Sequence, residues 1–182
     1  MLSDREPMKE ILRRLLRFLM TPIRRRYRQR NGMENTCQRK EIPNEILLGL
    51  AREMIEEGHS ATISVKGYSM RPFLENQRDK VKLEPCIELK KLDAVLAEIS
   101  PGHYVLHRVI AVNGQDVTLM GDGNVRGTEQ CRISDVAGVV TEYIRPNRII
   151  MASDKRLIRR IRIWQRLLPI RRYLLFVYKA VI

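Results

Sequence analysis

Ser69 lies in the segment Gly67-Tyr68-Ser69-Met70-Arg71-Pro72, His107 follows inside an apolar run, and a carboxylate comes later at Asp122 within Gly121-Asp122-Gly123-Asn124. A hydroxyl, an imidazole and a carboxylate are a nucleophile, its base and a group to orient the base, and together they attack a carbonyl with no metal or cofactor. None of the three is specific alone. A serine beside a glycine is most often an ordinary strand-to-turn junction. A histidine in an apolar strand is more often a core residue bonded to a carbonyl, and Gly, Asp and Asn are what any turn uses.

Gly67 permits close approach of a substrate backbone and Pro72 stiffens the chain leaving Ser69, so the segment can present the hydroxyl at the end of a strand. Gly67, Tyr68, Met70 and Pro72 are the residues expected to border a bound substrate. Over 104–112, His107 shares one face with Val105, Val109 and Ala111, while Leu106, Ile110 and Val112 lie opposite beside a lone Arg108. Both faces are mostly apolar, which predicts a buried strand. Burial disfavours the imidazolium and leaves the neutral ring that a general base requires. His59 follows the helix-stopping Gly58 and His103 follows Pro101-Gly102, so both are expected to face solvent. Asp122 is positioned in the chain to accept from the second nitrogen of His107; whether it reaches depends on the fold.

The elements around these residues are legible from periodicity. Asn44 is expected to cap a helix through Glu57, with Ile46, Leu47, Leu50, Met54 and Ile55 on one side and Gly58 as terminator. From Ala61 the period shortens to two, predicting strands over 62–66, 80–83, 94–99, 104–112, 117–120 and 136–144. Asn113-Gly114 is a hairpin signal of the type I′ kind. Helical spacing returns with Leu157, Ile158, Ile161, Trp164, Leu167 and Leu168, behind a cap at Ser153 or Asp154, until Pro169 breaks it. Met8, Ile11, Leu12, Leu15, Leu16 and Leu19 make a similar basic amphipathic stripe before a charged linker through Arg30. The chain therefore divides into a basic appendage over 1–40, a β domain with a leading helix over 41–148, and a basic amphipathic helical tail over 149–182.

Charge follows the same division. Residues 1–40 hold 12 basic and 4 acidic side chains, a net of +8; residues 145–182 hold 11 and 1, a net of +10; the middle is net −5, within an overall +13. An acidic body with two basic ends points to an anionic membrane surface as a partner. Nucleic acid is disfavoured, because aromatics are only 5% of the chain and offer no stacking platform. Cys37, Cys86 and Cys131 form no metal-ligand spacing, Cys37 and Cys86 read as free thiols, and neither a metal nor a cofactor is expected. No apolar run is long enough to span a bilayer, and Arg13, Arg14 and Arg17 interrupt what would be the core of a cleavable leader. The expected location is cytoplasmic or peripheral to a membrane.

The order Gly-x-Ser-Met-x-Pro, His-Arg-Val-Ile and Gly-Asp-x-Asn resembles the type I signal peptidase family, in particular its endoplasmic-reticulum and archaeal branch, which has histidine where the bacterial branch has lysine. The likeness runs from about Ser64 to Ile144. It implies a mainly β, signal peptidase/LexA-like antiparallel catalytic domain, here with flanking basic amphipathic helices. It also implies serine endopeptidase activity on an extended leader-like peptide, with small residues preferred next to the cut. The family's nucleophile falls on Ser69, its base on His107 and an acidic residue of its third box on Asp122. Glu129 stands where the branch tends to place further aspartates and is the alternative carboxylate. Family members usually carry a membrane anchor, and no apolar run here is expected to serve as one. The LexA-type self-cleaving repressors of the wider superfamily use lysine and are a poor fit, since no helix-turn-helix pattern precedes the body. The rival expectation is a weak or inactive module of the same fold that binds a peptide or a membrane surface.

Overall fold

The structure, a computed structural model, describes residues 44–181. The amphipathic stripe over 8–19, the basic linker and Cys37 lie outside the described residues. The order of elements is α1 (Asn44–Glu56), β1 (Ala61–Ser64), β2 (Lys80–Glu84), β3 (Ala94–Ser100), β4 (His103–Asn113), β5 (Asp116–Met120), β6 (Glu129–Arg132), β7 (Val136–Arg145), β8 (Arg148–Met151), α2 (Lys155–Arg166) and α3 (Arg171–Val181). The strands form one antiparallel sheet in the order β1-β2-β7-β3-β4-β5-β6, with β8 beside the end of β7. The architecture is thus mainly antiparallel β with a few helices.

Two strands carry too little apolar signal to be seen in the sequence. In β6, Glu-Gln-Cys-Arg, Cys131 is the one apolar residue on the inner face, and β8 is only four residues long. One turn differs from expectation. Asn113 pairs with Asp116, so the hairpin loop is Gly114-Gln115, and only Gly114 takes a positive φ, at 61°. A loop with the left-handed residue first follows the II′ pattern rather than I′.

Alternation along the strands divides the core in two. Val95, Ala97, Val109, Val117, Leu119 and Cys131 fill one face. Ala94, Leu96, Val81, Leu83 and Tyr143 belong to the other, where the loop residues Met70, Phe73 and Leu74 cover them. Helix α1 meets this second cluster through Ala51 and Ile55, and Ile55 packs so closely on β7 that a Cβ at Gly138 would lie 2.9 Å from its Cδ1. Ile46, Leu47, Leu50 and Met54 of the predicted apolar side remain exposed.

The C-terminal helices are part of the body. Asp154 is the α2 cap, accepting from the backbone N–H of Arg156 at 2.7 Å, and a short turn over Leu168–Ile170 separates α2 from α3 at Pro169. Leu157, Ile161, Trp164, Leu174 and Leu175 enter the same core as Phe73 and Leu74. Trp164 is fully buried, edge-on to Phe73 with ring centroids 6.4 Å apart, and its indole N–H donates to the Asp122 carbonyl at 2.7 Å. Much of the apolar stripe of α2 faces the protein's own loop, with Leu157, Ile161 and Trp164 buried.

Candidate active site

Strand β1 runs out into the loop that carries Ser69. Gly67 turns the chain with a φ of 85°, a left-handed conformation that favours glycine, and its N–H donates to the Asn76 side chain at 2.9 Å. A Cβ there would meet nothing within 4 Å of the chain itself, so within the protein it is the conformation that calls for glycine. Met70 and Pro72 are buried, Met70 in the main core, so both anchor the loop from beneath instead of bordering a substrate. Tyr68 stays exposed, with the Arg71 guanidinium 4.1 Å over its ring. Arg71 also pairs with Glu75 at 2.8 Å, and Glu75 accepts from the Tyr178 hydroxyl of α3. Sequence reasoning missed this clamp; the i,i+4 spacing of Arg71 and Glu75 was its one visible sign.

The turn over 121–124 presses on Ser69. Gly123 N–H donates to the Ser69 carbonyl at 2.6 Å. A Cβ on Gly121 would lie 2.6 Å from the Ser69 carbonyl oxygen, and one on Gly123 would lie 2.6 Å from that of Tyr68. Backbone cannot retreat as a flexible side chain can, so the two glycines are what lets the loop seat here.

The seat adjoins His107. Strands β4 and β5 pair Val109 with Leu119 and Arg108 with Met120, and continuing that register by one residue sets Gly121 opposite His107. Directly opposed residues in an antiparallel pair project to the same face. The Ser69 backbone therefore rests on the residue across from His107. On β6, Glu129 pairs with Leu119 and so falls on this face as well. Its carboxylate accepts from His107 Nδ1 at 2.9 Å, with the imidazole buried and the glutamate partly open. A carboxylate only accepts, so it fixes the proton on Nδ1 and leaves the Nε2 lone pair of the neutral ring as the basic site. Ser69 Oγ and Nε2 are not joined by a hydrogen bond, and neither is taken by another described group.

Asp122 is not the partner of His107. Two residues beyond Met120, it follows the alternation onto the face of Arg108, whose guanidinium it accepts from at 2.6 to 2.9 Å. Both side chains are completely buried. Arg108 also donates to the Leu92 carbonyl at 2.8 Å and lies within 3.5 Å of the Tyr143 hydroxyl. Burial works against the charged guanidinium, but Asp122 and Tyr143 outweigh it and hold its proton more tightly than usual. Gln165 donates to the Asp122 carboxylate at 3.1 Å, while buried Arg171 donates to the Asn124 carbonyl at 2.9 Å. The turn under Ser69 is thus fixed from both C-terminal helices.

Beside Ser69 opens a groove of about 580 Å³, lined by Tyr68, Gly123 and Val125 and by Arg172, Tyr173, Phe176 and Lys179 of α3. Tyr173 and Phe176 are largely exposed. His59 and His103 are exposed, as expected. Among the described residues no His, Cys, Asp and Glu side chains cluster to hold a metal ion, and no helix is long and apolar enough to cross a membrane. Searches against family models, curated proteins and solved structures returned no match to this chain.

Proposed function

We propose that the protein is a serine endopeptidase of the type I signal peptidase kind, with Ser69 as nucleophile, His107 as general base and Glu129 as the group that orients the base. The observation that carries this reading is the packing of Ser69 on Gly121, at the cross-strand position of an imidazole whose Nδ1 is held by Glu129. In the reaction Ser69 Oγ attacks the peptide carbonyl carbon while His107 Nε2 takes its proton. Glu129 steadies the imidazolium that results. The backbone N–H groups of Ser69 and Met70 have no partner among the described residues and are the donors on hand for the oxyanion. His107 then returns the proton to the leaving amine, and water, activated by the same base, releases the acyl group.

Among the described residues strand β1 has a neighbour on one side only, and it leads directly to Ser69. An extended peptide added to that free edge beside residues 62–67 would gain main-chain hydrogen bonds, while the aromatic groove takes an apolar side chain. By the family resemblance, small residues flank the cut. The basic outer positions of α2 and α3, with exposed Tyr173 and Phe176, suit a peripheral site on an anionic membrane, where leader-like substrates emerge.

The missing Ser69–His107 hydrogen bond favours one rival, a module that binds such peptides without cutting them. Incubation of the full chain with a leader-like peptide, followed by mass analysis of products, separates the two. Cleavage that disappears in Ser69→Ala supports the peptidase; saturable binding with no cleavage supports the module.

A further inference from the structure

On the sheet face that packs against α2, the β7–β8 hairpin pairs Arg145 directly with Arg148. Like charges opposed on one face of an antiparallel pair destabilise it. Arg78, from the loop before β2, and Arg160 of α2 add two more guanidinium groups within electrostatic reach. The fully buried carboxylate Asp79 serves Arg78, Arg145 and Arg148, and its oxygens are already engaged by the Arg78 guanidinium at 2.8 and 2.9 Å and by the Glu75 N–H at 2.9 Å, while Asp154 attracts Arg160. Arg145 spends one nitrogen on the Phe73 carbonyl at 2.7 Å, and its Nε stands 3.8 Å from Asp79. That Nε and Arg148 Nη1 are shielded from solvent and have no hydrogen-bond acceptor.

A buried donor left unpaired costs about 1–3 kcal/mol, and more when charged. Burial weakens the hold of Arg145 and Arg148 on their protons; Asp79 opposes this, and the neighbouring arginines add to it. Both costs disappear if a multiply charged oxyanion sits between them. Forked N–H donors arriving from two strands, with further positive charge behind, match a tetrahedral phosphate.

We propose that Arg145 and Arg148, backed by Arg78 and Arg160, form a binding site for a phosphate monoester group, supplied either by a lipid headgroup such as phosphatidic acid or by a soluble phosphate. The site lies outside the proposed catalytic residues and stands whether or not the protein cleaves peptides.

The test uses the full chain with two probes, inorganic phosphate read by calorimetry and vesicles of phosphatidylcholine with or without phosphatidic acid read by sedimentation. Arg145→Gln/Arg148→Gln is compared with Arg162→Gln/Arg166→Gln, which removes equal formal charge from exposed positions of α2. Since Arg145 also braces the Phe73 carbonyl, Arg148→Gln alone is the second variant. The expected result is binding by the wild type that weakens at least about tenfold in both hairpin variants, the loss typical of a charged hydrogen bond, and less than about twofold in the α2 control. Response to phosphatidic acid alone identifies a lipid site, and response to inorganic phosphate a soluble one. Equal losses in hairpin and control variants would reduce the effect to diffuse charge and overturn the proposal, as would a wild type that binds neither probe.

Discussion

His107 and Arg108 are neighbours on one strand and do opposite things. The histidine faces Glu129 and the seat of Ser69, beside a partly open carboxylate. The arginine faces Asp122, Leu92 and Tyr143 in a pair with no exposure at all. A single step along a strand changes the face, and with it the role: one side holds a buried imidazole against a partly open carboxylate beside the loop of Ser69, and the other locks the turn on which Ser69 rests. Losses on the first side should appear as rate, and losses on the second as stability.

The largest expected effect belongs to the base. His107→Ala should lower peptide turnover by about 10²–10⁴-fold, the usual contribution of a positioned base, while the denaturation midpoint moves little. A large loss of stability with an unchanged rate per folded molecule would put His107 on the structural side. Next comes Asp122→Ala, which leaves Arg108 charged and buried. Breaking such a pair costs about 3–5 kcal/mol, to be read in urea unfolding. An unchanged midpoint would mean that the Arg108 face holds nothing.

Gly121→Ala tests the seam between the two faces. Its new methyl would meet the Ser69 carbonyl at 2.6 Å, so the loop must shift; overpacking of this sort costs about 1–3 kcal/mol, and the rate should fall although no reacting group is removed. Full activity would show that the loop's seat does not matter. Glu129→Gln should slow turnover by roughly tenfold, because the amide can still accept from Nδ1 but cannot steady the imidazolium. Its effect should fall on kcat rather than KM. A change confined to KM would assign Glu129 to substrate binding.

The smallest effect concerns Cys131, two residues past Glu129 on the inner side of β6. Burial first, and then Asp135, push its thiol up to about 11 from 9.0. The folded thiol keeps its proton where the unfolded one loses it, so this contribution to stability is present below pH 9 and disappears as pH rises toward 11. Iodoacetamide at pH 9 should accordingly modify Cys131 more slowly in the native protein than in urea. Equal rates would show that β6 does not shield it.

The faces of β4 were legible because alternation in an apolar strand is a local signal, but the partner of Arg108 was not, and Asp122 looked free to serve His107. Counting on from the Arg108–Met120 pairing puts Asp122 on the arginine's face, and that register depends on a bulge between Val109 and Ala111. No local pattern announces such a bulge. Glu129 was named only through the resemblance, since β6 has a single inward apolar residue and gives no strand signal. The C-terminal stripe was legible as a helix but not as core: its period is the same whether it meets lipid or Phe73. Met70 and Pro72 were misassigned for a related reason, because a loop's two sides have no period to read.

The central claim is that Ser69 is a nucleophile activated by His107. A serine-reactive acylating probe, followed by mapping of the labelled peptide in the wild type and in His107→Ala, tests it most directly. The account predicts a single adduct on Ser69 whose formation slows by orders of magnitude in the variant. Labelling at another residue, or labelling of Ser69 at the same rate without His107, would contradict it.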